Sequence, residues 1–166
     1  MTLQQKAVIM LKLVNKQGTL IQVSEAFERL KNQFLSESVE TLAYIGEEFV
    51  KEARLSLNVN KSAFPKGSFQ DQTANLRSSI GYYVLFNKKV VKYNLEAPVE
   101  AQSFVSALLR RGHRKGVSLV CIAGMEYASY VESKGYNVIS SQKDVAFIEL
   151  EADLKEVARK YGITMR

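Results

Sequence analysis

The sequence of 166 residues predicts an α+β fold, with a long N-terminal helix and a C-terminal helix packed on a small, mostly antiparallel β-sheet. Three observations predict this class. Apolar residues recur at steps of three and four over residues 23–57, which is the spacing of one helix face. Runs of good β-formers follow at 80–93 and 117–123. Helical spacing then returns from residue 144 onwards, so the order of elements mixes long helices with short strands.

The length fits a single domain spanning residues 1–166. Within it, residues 1–23 allow two interpretations, a short helix or a two-strand hairpin. Alternation of Leu11, Leu13 and Leu20 around the turn-like Gln17-Gly18 favours a hairpin, so this segment is expected to be an N-terminal hairpin or arm.

The long helix is expected to begin at Ser24, which is a suitable N-cap, and to end near Leu57. Its buried face is predicted from the repeating apolar positions. A helix of more than thirty residues is about 50 Å long, which exceeds what a small sheet covers. It is therefore expected either to bend, near Gly46 or residues 36–38, or to project and pack on another chain. The apolar positions are Val23, Phe27, Leu30, Phe34, Leu42, Ile45, Phe49 and Ala53.

Residues 58–70 read as an exposed loop because they contain Asn, Ser, Pro and Gly. The hydroxyl of Thr73 is expected to cap a single helical turn, on which Leu76 and Ile80 lie on the same side. A β-hairpin is predicted next, with arms at 80–86 and 89–93 joined by Asn87-Lys88.

The segment 94–116 is predicted to include a helix that opens at Pro98. A strand follows at 117–123, then a helical or irregular stretch at 125–132 and another short strand at 135–139.

Asp144 is expected to cap the final helix, and Gly162 is expected to end it. The predicted buried face of this helix consists of Phe147, Leu150, Leu154, Val157 and Tyr161.

Chemistry-bearing residues are sparse. Cys121 and His113 are the only cysteine and histidine, so they cannot build a zinc site within one chain, and Cys121 lies in an apolar run typical of a buried, inert thiol. Ser78 and Ser79 have no histidine and acid partner nearby in sequence. The sequence therefore predicts no enzyme activity, no cofactor and no metal. It also predicts no membrane segment, because no apolar run approaches about 18 residues, and no secretory signal, which favours a cytoplasmic site of synthesis.

The net charge of +6 is concentrated in residues 61–115, where ten bases face three acids. A basic run within this segment has two interpretations. It either contacts phosphates, or it is a solvated helix end at which bases complement the helix dipole. The second is favoured, and a non-specific nucleic-acid-binding module using the basic middle segment is kept as the alternative function. The run comprises Arg110, Arg111, His113, Arg114 and Lys115.

Two segments carry a resemblance to a known family. The first is Asp71-Gln-Thr-Ala-Asn-Leu-Arg-Ser-Ser-Ile-Gly81, which resembles the "D-x-T-G-N-L-R-x-S-I" signature of the tail-completion, or head-to-tail joining, proteins of long-tailed bacteriophages and prophages. The second is Val120-Cys-Ile-Ala-Gly-Met-Glu-Tyr-Ala-Ser-Tyr-Val-Glu132, which is similar to that family's second signature. The resemblance covers residues 24–161, and it implies that the segment 94–116 is an insertion. Ala74 stands where the signature has glycine. Alanine is strained at this position if the backbone needs positive φ.

The resemblance implies a structural role in the virion tail or neck, after synthesis in the bacterial host cytoplasm. Such proteins assemble with themselves as a ring, commonly a hexamer, which joins the tail tube to neck or head-completion proteins around the channel for DNA. Leu76, Ile80 and Tyr127 are expected to anchor the fold, while Arg77 and Glu132 are expected to form hydrogen bonds or ion pairs that hold the two signatures together. The signature residues are Thr73, Asn75, Leu76, Arg77, Ser79, Ile80, Tyr127, Ala128 and Glu132.

Overall fold

A 38-residue helix, α1 (Thr19–Ser56), is the longest element of the fold and packs against both the sheet and the C-terminal helix. The computed structural model describes residues 19–57, 74–95, 106–107, 115–136 and 138–164. The other elements whose bounds the structure describes are two short helices, three strands and a second long helix. The predicted α+β arrangement, with two long helices and a small antiparallel sheet, is confirmed.

The start of α1 corrects the sequence-based prediction. Residues 19–23 are helical, so they do not form the second strand of a hairpin, and Ser24 lies inside the helix rather than at its N-cap. Extending an existing helix adds one backbone hydrogen bond for each residue that is fixed, which favours this continuation over a separate strand. The predicted end is confirmed, since Leu57 follows the last helical residue. Residues 1–18 lie outside the described residues.

Burial along α1 is uneven. The predicted face of its second half is confirmed, because Ile45, Phe49 and Ala53 are all buried. In the first half the predicted face is covered only in part: the ring of Phe34 contacts that of Tyr161, whereas the side chain of Phe27 is 60% exposed. The helix runs without a break through Gly46 and Ser38, so its first half projects beyond the sheet.

The sheet has three strands: β1 (Ile80–Phe86), β2 (Lys89–Asn94) and β3 (Val117–Ala123). Their order is β2-β1-β3 with both pairings antiparallel, which confirms the predicted hairpin and the predicted third strand. Asn87 and Lys88 both have positive φ, 49° and 71°, which suits the tight turn of a two-residue hairpin.

The turn of the hairpin is tied to the residue that precedes β3. The Asn87 N–H donates to the Gly116 carbonyl at 2.9 Å, and the Gly116 N–H donates to the Asn87 side-chain oxygen at 2.9 Å. This pair of bonds fixes the hairpin end of the sheet.

Polar contacts fix the direction of the sheet along α1. Lys92 forms a salt bridge with Glu40, and the Tyr82 hydroxyl donates to Glu47 at 3.0 Å. Nearer the end of the helix, the Arg54 guanidinium donates to the Ile80 carbonyl at 2.9 Å. The hairpin turn therefore points towards the N-terminal half of α1, and the start of β1 lies near its C-terminal end.

Two short helices flank the sheet, α2 (Asn75–Ser78) before β1 and α3 (Ala128–Ser133) after β3. The described part of 135–139 forms turns and bends rather than the predicted strand. Ser106 and Ala107 are helical and are the two described residues of the helix predicted to open at Pro98.

The final helix, α4 (Ser140–Lys160), begins four residues before Asp144, so the predicted cap is wrong. It ends as predicted near Gly162, whose φ of 73° allows the Ile163 N–H to donate to the Ala158 carbonyl at 2.8 Å.

The predicted face of α4 is correct only in part. Phe147 is 65% exposed, because the preceding residue, Ala146, faces the core in its place. That side consists of Ala146, Leu150, Leu154, Val157 and Ala158.

Candidate functional site

The two signature segments meet at one end of the sheet. Ile80 of the first pairs with Ala123 of the second in the β1–β3 ladder. Beyond that pair, the Gly124 N–H donates to the Ser79 carbonyl at 2.9 Å. The structure therefore joins, through backbone hydrogen bonds, two segments that are separated in sequence by the whole hairpin and the 94–116 segment.

The core of this junction contains the apolar residues of the first signature. Leu76 and Ile80 are completely buried, as predicted. Ser79 is also completely buried, and its hydroxyl donates to the Leu76 carbonyl at 2.8 Å, which satisfies a polar group that would otherwise be costly to bury. The carbonyl of Asn75, which is itself exposed, accepts from the Ser78 hydroxyl at 3.0 Å.

In the second signature, burial falls on different residues from those predicted. Tyr127 is 37% exposed, so the prediction that it anchors the fold is not supported by its burial. Ala128 and Val131 are buried instead. These two residues are three positions apart on α3, so they lie on one face of this short helix, and that face is turned inward.

Ala74 occupies the position where the family signature has glycine. It is the N-cap of α2 and has φ 57° and ψ 9°, in the left-handed region. That conformation is strained for alanine and unstrained for glycine. Thr73, which was expected to cap this turn, lies outside the described residues, and α2 has no side-chain hydrogen bond at its N-cap.

Glu132, the last residue of the second signature, caps the N-terminus of α4. Its carboxylate accepts hydrogen bonds from the backbone N–H groups of Val138, Ile139 and Ser140 at 3.0, 3.2 and 3.1 Å. Partial burial would raise the pKa of Glu132, but hydrogen bonds from Ser140, Ile139 and Val138 outweigh this effect and leave the pKa below its ordinary value. The expected role of Arg77 in holding the two signatures together stays a prediction.

An apolar cleft of about 490 Å³ lies beside the junction, between β3, α3 and the start of α4. Cys121 lines it, and burial raises the pKa of its thiol to about 12, so the group is a poor nucleophile. The other apolar lining residues are Phe49, Ile122, Ala123, Met125, Ala128, Val138 and Ile139.

The opposite end of the sheet is basic. Of the basic run, Arg110, Arg111, His113 and Arg114 lie outside the described residues, and Lys115 is exposed. Because Gly116 is bonded to the hairpin turn, Lys115 lies at the same end of the sheet as the exposed Lys88 and Lys89.

Sequence reasoning missed an acidic groove between α1 and α4. This groove has a volume of about 690 Å³ and is lined by four acids, Glu48, Glu52, Glu149 and Asp153, with no lysine or arginine among its lining residues. A signal was present, since each pair of acids is spaced four residues apart and so lies on one helix face. The sequence did not show that the two faces meet.

Among the described residues, no cluster of three or more histidine, cysteine, aspartate or glutamate side chains is placed to hold a metal ion. Within the same residues, no helix combines the length and the apolar character needed to cross a membrane. No family model, no curated protein and no solved structure matches the chain.

Proposed function

We propose that this protein is a structural assembly subunit of a phage or prophage virion, which joins the tail to the neck or head as part of an oligomeric ring around the DNA channel. The observation that carries the proposal is the junction of the two signatures. Segments that resemble two motifs of one family are hydrogen-bonded to each other through Ser79 and Gly124, as motifs that maintain a common fold should be. The partners are further copies of the chain, the tail tube, and neck or head-completion proteins.

The conformation of Ala74 supports the same proposal independently. The family signature has glycine at this position, and here the backbone adopts a left-handed conformation that glycine favours. Ala74 is the one residue that departs from the first signature, and its positive φ is a reason for glycine at that position. A chance similarity of sequence would not be expected to show this agreement.

The surface of the described residues also suits an assembly role. Large apolar side chains are exposed on both long helices, including Phe27 on α1 and Phe147 and Ile148 on α4. Exposed apolar groups that cluster on one element are typical of surfaces that contact other proteins. The proposed role uses packing and polar contacts, and it requires no catalytic group and no cofactor.

Deletion of the gene from an inducible prophage tests the proposal. Electron micrographs of the lysate should show filled heads and complete tails that are not joined, and expression of the wild-type chain from a plasmid should restore joined particles. The chain should also be detected by mass spectrometry in purified wild-type virions. Joined, infectious particles from the deletion strain would overturn the proposed function.

The alternative is a module that binds nucleic acid through the basic segment. The position of Lys88, Lys89 and Lys115 at one end of the sheet supports this candidate, because it gives a positive surface next to Arg114 in sequence. It predicts sequence-independent DNA affinity that falls steeply with salt and with neutralisation of Arg110, Arg111 and Arg114. Absence of binding at low salt would exclude it.

A further inference from the structure

We propose that the acidic groove between α1 and α4 of one copy receives the β1–β2 hairpin of a second copy. This inference deepens the proposed ring and rests on it for the presence of a second copy. It names the two different surfaces that a head-to-tail contact requires, since a closed ring is built by pairing one face of each subunit with a different face of the next.

The groove provides negative charge above an apolar floor. Glu149 and Asp153 of α4 have no hydrogen bond or ion pair with any other described residue, whereas Glu48 of α1 is paired with Lys51 at 3.0 Å. Phe49 and Ala146 form the floor, and the exposed side chains of Tyr44 and Val145 also line the groove.

The hairpin provides the complementary features. Lys88 and Lys89 are exposed and have no acidic partner among the described residues. Val90 and Val91 follow them and are 41% and 45% exposed. The hairpin end therefore combines positive charge with apolar side chains, as the groove combines negative charge with apolar side chains. Such complementarity steers association and fixes its register.

The two surfaces belong to different elements of the subunit, since the hairpin is part of the sheet and the groove lies between α1 and α4. The polar contacts of β2 and β1 follow α1 from Glu40, through Glu47, to Arg54, and the hairpin turn lies beyond the Glu40 end. The groove lies further along α1, where Glu48 and Glu52 face α4. This separation suits a head-to-tail contact between copies.

A charge swap tests the contact. The variants are K88E/K89E in the hairpin and E149K/D153K in the groove, and K134E/K155E, at exposed positions outside both surfaces, is the control for K88E/K89E. Sedimentation velocity should show oligomers for the wild type and the control, and monomers for each surface variant alone. An equimolar mixture of the two surface variants should recover oligomers, because the reversed hairpin meets the reversed groove and the remaining surfaces also have opposite charges. Circular dichroism of each variant checks folding.

Four results would overturn the inference: a surface variant that assembles like the wild type, a mixture that stays monomeric, a wild-type chain that is monomeric at about 1 mM, or a K88E/K89E variant that loses DNA affinity while its self-association is unchanged. The last result would assign the hairpin to nucleic acid. Failure of the charge swap is distinguishable from failure of the proposed function, because the deletion strain reports on joining of heads and tails whichever surfaces form the contact.

Discussion

The ring of Tyr82 lies directly over Gly46, so that a Cβ atom at Gly46 would come within 2.5 Å of Tyr82 Cγ. The ring cannot move away easily, because Tyr82 is buried and its hydroxyl is bonded to Glu47. The glycine that sequence reasoning considered as a bend in α1 therefore serves a different purpose, which is close contact between the helix and β1.

Gly46→Ala should lower the free energy of unfolding by up to about 2 kcal/mol, since overpacking costs about 1–3 kcal/mol and the helix propensity of alanine recovers about 1 kcal/mol. Urea unfolding followed by circular dichroism measures the change. Ser36→Ala, at an exposed position of the same helix, is the matched control and should be neutral or slightly stabilising. A Gly46→Ala variant as stable as the control would show that the ring has room to shift.

Leu76→Ala should destabilise the protein by about 2–5 kcal/mol, because the side chain is completely buried and its removal leaves a cavity at the signature junction. Leu55→Ala is a suitable comparison, since Leu55 is about half exposed and should lose well under 1 kcal/mol. Thermal melts of both variants, together with chemical denaturation, provide the measurement. Equal stability of the two variants would remove Leu76 from the core.

The sequence was sufficient to predict the long elements, because helical and strand periodicity are local properties. The prediction failed where the first residue of an element depends on a group that is not its neighbour in sequence. The start of α4 at Ser140 is stabilised by Glu132, several residues earlier, so inspection of nearby capping residues favoured Asp144 instead. The residues around Val138 do not form the predicted strand for the same reason, since the Val138 N–H group donates to the Glu132 carboxylate rather than to a neighbouring strand.

Burial and the candidate surfaces were harder to predict than the elements. Apolar spacing identified Phe27 and Phe147 as face residues, yet spacing does not show whether another element covers that face. The acidic groove depends on the alignment of α1 with α4, which is set by contacts such as that of Phe34 with Tyr161, whose ring centroids are 5.6 Å apart. At the signature junction the inward position of Leu76 and Ile80 was predicted, whereas the backbone hydrogen bond between Gly124 and Ser79 was not, because strand pairing is not a local property of the sequence.

Glu132 should make stability depend on pH. Its pKa in the folded protein lies below the ordinary value of 4.5, so its contribution is fully present above that value and is lost as pH falls through the folded pKa. Glu132→Gln should therefore cost about 1–2 kcal/mol at about pH 7, which is the range for loss of a good helix cap, and progressively less in acid.

The measurement is chemical denaturation of the wild type and the variant at a series of pH values between about 7 and 3. Glu126→Gln is the control, because Glu126 is exposed and lies on the same segment of chain. A difference between wild type and Glu132→Gln that does not shrink towards low pH would show that the carboxylate charge is not what stabilises the start of α4.

Ala74→Gly should stabilise the protein by about 0.5–1 kcal/mol. The left-handed conformation of Ala74 costs about 1–2 kcal/mol for a residue with a Cβ atom, and the larger conformational entropy of glycine in the unfolded chain offsets part of that gain. The same chemical change at Ala152, an exposed interior position of α4, should destabilise by about 1 kcal/mol. Denaturant midpoints of the two variants should thus move in opposite directions from the wild type. If Ala74→Gly instead loses stability as Ala152→Gly does, the backbone at residue 74 does not need positive φ, and the argument that links this turn to the signature glycine fails with it.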